Sequence, residues 1–275
     1  MTGAATRGLL VALVIALPAL LLPGIAPDST QVTVLVALLA AFLTFVEYNA
    51  DSPSIVEFRD AGPFNRLRFI ALFSTVFLIT VACRGLSEPT LLTSAVWSIG
   101  TLVGNSMDFP YSPVRMVVLM FPVGTDAETI TLVRVSAGIA YLSALCAMFA
   151  FIVMVRIFGW PARGRAFNVW INLPLFDPTV GGDVLLRLSR DARVNIVVGF
   201  LLPFIIPALI KLAATVIDPL SLTNHQTLVW TITAWAFLPA SMIMRGIAMQ
   251  RIAEMIAEQR RRAYVGAEEG DLQPA

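Results

Sequence analysis

The chain has 275 residues, of which 57% are hydrophobic and 13% are charged. A soluble domain of this length cannot bury so many apolar side chains, so the composition excludes an ordinary soluble protein and predicts a membrane-spanning one. The net charge of +1 hides a strong preference for arginine over lysine, since Lys211 is the single lysine. Arginine, alanine and leucine usage favours a GC-rich bacterium, and we expect an inner-membrane location.

Six apolar runs come close to or exceed the roughly 20 residues that a helix needs to cross a bilayer. They are residues 8–26, 32–46, 69–83, 129–157, 194–217 and 228–249. The first run ends in a sequence loosely similar to a signal-peptide cleavage site, but Pro27 directly after it argues against cleavage. The pattern predicts an all-α polytopic helical membrane protein with a single bundle over residues 1–265 and a disordered acidic tail at 266–275.

The arginines indicate how the bundle is oriented. They are concentrated in two polar segments, 47–68 and 156–193, and after the last apolar run, between residues 251 and 262. Because arginine-rich loops are retained in the cytoplasm, both segments and both termini are expected to be cytoplasmic.

Residues 91–123 contain two short apolar runs separated by Pro110 and Pro113. Neither run is comfortably long enough to cross a bilayer. The orientation requires residues 84 and 128 to lie on the same side, so the two runs either enter the membrane and return as a re-entrant or broken pair, or form two short spans. The re-entrant pair is the preferred interpretation, and it requires protein or water around its backbone.

Arg134 and Lys211 are basic residues inside apolar runs, where a charge needs a partner or a path to the surface. Glu128 precedes Arg134, and Asp218 follows Lys211 by seven residues, which places it on the same helical face. Structural ion pairs are one interpretation, and a site for an anion or a lipid headgroup is the other.

Residues 183–193 predict a short amphipathic helix whose charged face carries Arg187, Arg190 and Asp191, with Arg193 at its end. Several aromatic residues precede it, as is typical of a segment that lies on a membrane surface. Its arginines are then expected to contact anionic lipid headgroups. A docking surface for a partner protein is an equally supported alternative.

Two further features concern the last two spans. Pro203 and Pro207 lie four residues apart and predict a kinked helix, a feature of many transporter binding sites that is also common without any function. Beyond the last span, Met249, Ile252 and Ile256 continue an apolar stripe, which needs to be covered by this chain or by a partner.

No catalytic, metal or cofactor motif is recognisable, and no cofactor or nucleic-acid partner is expected. We therefore expect a non-catalytic accessory, scaffold or assembly subunit of a larger membrane complex, with other membrane proteins as partners. A transporter or channel component is the alternative. An enzyme acting on lipid through Asp177 and Asp183 ranks third, because two aspartates alone make a poor metal site.

Overall fold

The computed structural model describes residues 2–122, 124–161, 168–176, 181–213 and 224–271. Within these ranges the chain forms helices α1 (Thr2–Leu21), α2 (Pro27–Asn49), α3 (Phe64–Ser87), α4 (Leu91–Met107), α5 (Pro113–Leu119), α6 (Ala127–Arg156), α7 (Val169–Asn172), α8 (Val184–Ala213) and α9 (His225–Asp271). Six of them, α1, α2, α3, α6, α8 and α9, are long and apolar enough to cross a membrane. The predicted class, a polytopic all-helical membrane protein with about six spans, is confirmed.

The bundle has two chemically different ends. The loop 50–63, the described residues 157–161, 168–176 and 181–183, the first turns of α8 and the last turns of α9 meet at what we call the arginine-rich end. The opposite end contains residues 84–122 and 124–127, the last turns of α8 and the first turn of α9. Because α8 has 30 residues and α9 has 47, both helices are longer than a bilayer requires, and their excess length lies at the arginine-rich end.

Helices α4 and α5 correspond to the predicted broken pair and lie near the opposite end. Thr93 in the first turn of α4 lies against Gly85 at the end of α3. In α5, Val117 lines a small void with Ile206 of α8 and Ile232 of α9. A seven-residue helix such as α5 rises only about 10 Å. The alternative of two short spans therefore fails, and a broken pair of helices remains.

Glycines allow the closest helix contacts. A Cβ atom on Gly138 of α6 would lie 2.6 Å from the Cα atom of Gly104, so α4 and α6 touch through their backbones. A Cβ atom on Gly246 of α9 would lie 2.7 Å from the carbonyl oxygen of Ala192 in α8. Close backbone approach of this kind is how helices pack in lipid, where apolar burial gives little driving force.

Buried apolar side chains form one cluster between the spans and a second at the arginine-rich end. Helix α2 lies at the edge of the bundle, packs mainly on α1 and leaves most of its large apolar side chains exposed. Such a surface is suited to contact with lipid chains.

One predicted boundary was wrong. Residues 184–193 are not a separate short helix, because α8 continues without a break into the span. The polarity of the sequence changes near Arg193, but nothing there interrupts the backbone hydrogen bonds. Helix α9 continues to Asp271, and the disorder expected for the acidic tail 266–275 stays a prediction.

Candidate functional site

A buried ion pair attaches the loop 50–63 to α9. The carboxylate of Glu57, whose side chain is 8% exposed, accepts hydrogen bonds from Arg245 Nε at 2.5 Å and from Nη2 at 2.8 Å. Beside it, Arg68 Nε donates to Ser241 Oγ at 3.4 Å. Two-point contacts between a guanidinium and a carboxylate are strong and directional. Loss of either partner would leave a buried charge, so the pair fixes the position of the loop.

The same loop is also held from within by Glu47, in the last turn of α2. Its carboxylate accepts hydrogen bonds from the main-chain N–H groups of Ser54, Ile55 and Val56 and from the Ser54 hydroxyl. Arg59 Nη1 donates back to the main-chain carbonyl of Glu47 at 3.0 Å. These side chains satisfy backbone groups that have no partner in secondary structure, so the loop has a defined shape.

Beneath the loop lies a core of aromatic rings contributed by distant parts of the chain. The ring centroids of Phe58 and Phe64 are 4.5 Å apart, those of Phe64 and Phe151 are 5.2 Å apart, and those of Phe151 and Trp160 are 5.1 Å apart. Trp160 Nε1 donates to the carbonyl oxygen of Ala61 at 3.1 Å. The loop 50–63 is thereby packed against α6 and the residues that follow it.

Helix α7 completes this layer through Asn172. The main-chain N–H of Phe58 donates to the Asn172 carbonyl at 2.7 Å, and the N–H of Asp60 donates to Asn172 Oδ1 at 3.3 Å. Two loops that are more than a hundred residues apart in sequence therefore form one folded layer, which we call the cap layer (residues 50–63, 157–161, 168–176 and the adjoining turns of α8 and α9).

The apolar stripe on the end of α9 is covered by the chain itself. Met249 and Ile252 are buried in the second cluster together with Leu188, which lies on the apolar face of the first turns of α8. At its edge, Arg260 Nη1 donates to Asp183 Oδ1 at 2.9 Å. The main-chain N–H of Leu185 and, next, the Arg260 guanidinium hold the pKa of Asp183 below its ordinary value.

The three arginines predicted to contact lipid or a partner lie along the start of α8. The guanidinium of Arg187 lies 4.8 Å from the ring centroid of Phe176. Arg190 and Arg193 are exposed: Arg190 lies 3.8 Å from Asp191, and Arg193 donates to the carbonyl of Ser189 at 3.3 Å. Their distribution is that of a charged surface, and the described contacts of the three arginines do not converge on one point.

Arg134 does have a partner, but not the predicted one. Its Nε donates to Asp108 Oδ2 at 2.7 Å, and Arg115 Nη1 lies 3.3 Å from the other carboxylate oxygen. Glu128 was predicted as the partner of Arg134 from its position on the same helix, and this was wrong. The actual partner, Asp108, follows α4, and spacing along one helix cannot reveal a carboxylate from another part of the chain.

Lys211 is exposed in the last turns of α8. Its predicted partner, Asp218, lies outside the described residues.

The two prolines of α8 are explained by a contact with α9. Pro207 has no N–H, so the carbonyl of Pro203 loses its usual helix donor. Trp235 Nε1 donates to that carbonyl at 2.9 Å in the buried interface between α8 and α9. The predicted irregularity of α8 is therefore part of the packing of these two spans.

Sequence reasoning missed Glu57, Arg245, Asp108 and Trp235. The sequence did carry one signal for them: each is a polar group in or beside an apolar helix, where burial without a partner is unfavourable.

Asp177 of the enzyme hypothesis lies outside the described residues. Across the described ranges, His, Cys, Asp and Glu side chains form no group of three that would hold a metal ion.

Comparisons with protein-family models, with characterised proteins and with solved structures found no match to this chain.

Proposed function

We propose that this multi-pass protein is a non-catalytic accessory, scaffold or assembly subunit of a larger complex in a bacterial inner membrane. The observation that carries the proposal is the cap layer: two loops and two helix ends are folded into one fixed surface, closed by the Glu57–Arg245 pair. A surface held in shape by its own hydrogen bonds and ion pair is what a subunit needs in order to position its neighbours.

The distribution of arginine supports a cytoplasmic position for the cap layer and for both termini. Arg84, Arg115 and Arg134 belong to the opposite end. The other arginines are in the starts of α1, α3 and α8, the last turn of α6, the part of α9 from Arg245 onward, and the two long polar segments of the sequence. The retention of arginine-rich segments in the cytoplasm would orient the bundle in this way.

The buried acidic groups also favour a structural role. Glu47 holds a loop, Glu57 pairs with Arg245, and Asp108 pairs with Arg134 and Arg115. Ion-coupled transport usually uses acidic side chains that are free to exchange a proton or a cation. These three carboxylates are instead occupied by contacts that hold the fold together.

The transport alternative is based on the prolines of α8, the broken pair α4 and α5, and the six-span layout. Since Trp235 satisfies the carbonyl that Pro207 leaves without a donor, the kink has a packing explanation, and we rank transport second.

The experiment is extraction of the tagged protein, expressed at its native level, into polymer-bounded discs of its own membrane, followed by mass measurement and protein identification. The proposal predicts a discrete particle with other membrane proteins at fixed stoichiometry. The matched variant Glu57→Gln, which loosens the cap layer, is expected to reduce that particle, whereas Asp60→Asn on the exposed side of the loop is expected to leave it intact. A particle containing this chain alone would contradict the proposal and favour transport.

A further inference from the structure

The arginine-rich end contains a cleft between α6 and α8, with α9 at its back. Helices α6 and α8 each pack on α9 but, within the described chain, not on each other. The cleft has a volume of about 350 Å³, which lies within the range of small-molecule sites. It is lined by Val155, Arg156, Gly159, Ile196, Ile247, Gln250, Arg251 and Glu254.

Its lining changes from apolar to polar along the bundle axis. Val155, Ile196 and Ile247 come from the last apolar turns of α6, α8 and α9 before the arginine-rich end. Arg156 and Arg251 follow directly on the water-facing side, because α6 and α9 both run toward that end. The cleft therefore lies where the three apolar spans end, with cations at the level expected for lipid headgroups.

Several polar groups in the cleft have no full set of partners. Arg251 Nε is buried without a hydrogen-bond acceptor, and its Nη1 atom is a long 3.4 Å from Glu254 and 3.8 Å from Glu258. Arg156 is exposed and forms no ion pair within the described chain. Gln250 is half-buried. Buried donors without acceptors are unfavourable, and a phosphate oxygen would supply the acceptor that is lacking here.

An apolar surface continues from the cleft toward the middle of the bundle. Phe149 and Ile152 precede Arg156 by seven and four residues on the same face of α6, and both are exposed. On α8, Phe200 follows Ile196 by four residues and is also exposed. A ligand that combines an anionic head with long apolar chains matches this arrangement better than a soluble anion does.

We propose that this cleft binds one anionic phospholipid from the leaflet at the arginine-rich end. Arg156, Gln250 and Arg251 contact the phosphate, and the acyl chains lie along the exposed faces of α6 and α8. Glu254 on the rim opposes the anion and limits its affinity. The site is independent of the proposed role as a subunit, because it concerns only this chain and the bilayer.

The test is native mass spectrometry of the full-length protein in a neutral detergent, titrated with phosphatidylglycerol and, in parallel, phosphatidylcholine. We expect one phosphatidylglycerol to bind in preference to phosphatidylcholine. Arg156→Gln, an exposed change that removes no internal contact, should weaken binding about fivefold or more, the effect of losing a charged hydrogen bond. Arg251→Gln should act in the same direction, and Glu254→Gln should strengthen binding.

Two controls make the site specific. Arg190→Gln removes an exposed arginine at the same end but outside the cleft, and it should leave binding unchanged. Glycerol phosphate, which has the headgroup without the chains, should not displace the lipid at equal concentration. Equal losses for Arg156→Gln and Arg190→Gln, or wild-type binding by both cleft variants, would overturn the proposal. Displacement by glycerol phosphate would assign the cleft to a soluble phosphate instead.

Discussion

The indole N–H of Trp235 in α9 donates a hydrogen bond to the main-chain carbonyl of Pro203 in α8, across 2.9 Å. This carbonyl lacks its helix donor because residue 207 is a proline. One side chain therefore compensates for the irregularity of a neighbouring span, and the two helices are joined by a directional bond in addition to their close packing at Gly199 and Gly246.

Replacing Trp235 with Phe should lower the free energy of unfolding by about 1–3 kcal/mol, because a buried carbonyl is left without a partner. Adding Pro207→Ala restores the helix donor, so Trp235→Phe should cost less in that background. Thermal unfolding in detergent measures both values. Trp230→Phe, at a partly buried tryptophan of the same helix, is the control. An equal cost of Trp235→Phe in both Pro207 backgrounds would disprove the relationship.

Glu57→Gln should destabilise the cap layer by about 3 kcal/mol, the low end of the cost of breaking a buried pair, since a quarter of the Arg245 side chain is exposed. The expected signature is faster proteolysis within the loop 50–63 together with a lower midpoint of thermal unfolding. Asp60→Asn, which removes the ion pair between an exposed carboxylate and Arg59, should cost less than about 1 kcal/mol. Similar effects of the two variants would show that the buried pair does not hold the loop.

Gly138→Ala should destabilise the protein by about 1–3 kcal/mol, as expected when an extra carbon is forced into a packed contact. The new Cβ atom would lie 2.6 Å from the Cα atom of Gly104, and backbone cannot move aside as a flexible side chain can. The yield of folded protein and its melting temperature report the effect. Gly181→Ala, where the added carbon meets no atom within 4 Å, should be neutral.

The pKa of Asp183 is lowered by hydrogen bonds to its charged form from the Leu185 N–H and from Arg260. A lowered folded-state pKa stabilises the contact above the ordinary pKa of about 3.9, and this contribution is lost as the pH falls through the folded-state value. The protection factors measured by hydrogen exchange in the first turn of α8 should therefore be smaller in acid than at neutral pH.

Two variants separate the causes of that protection. Asp183→Asn can still accept the main-chain hydrogen bond but loses the ion pair with Arg260, whereas Asp183→Ala loses both. Protection at neutral pH should fall in the order wild type, Asn, Ala, and the acid dependence should disappear in both variants. An acid dependence that survives in the alanine variant would assign the effect to another group.

Apolar length and arginine placement were sufficient to predict the six spans and the broken pair, because a bilayer imposes both on the sequence directly. The partners of the polar side chains could not be predicted in this way. Asp108 meets Arg134 across 26 residues and Glu57 meets Arg245 across 188, and such pairings depend on how helices are arranged. The start of α8 was predicted to be helical, but its continuity with the span was not, because a change in polarity does not require a change in the backbone.

The central claim, that this chain works as a subunit among other membrane proteins, is tested most directly by site-specific photocrosslinking in native membranes at native expression. Photoreactive residues are placed at three exposed apolar positions of the cap layer, Ile55, Phe158 and Leu175, with buried Ile79 on α3 as the internal control. The account predicts that at least one exposed position forms an adduct of a single mass with a different membrane protein, and that Ile79 does not. Adducts with lipid or with this chain alone at all three exposed positions would contradict it.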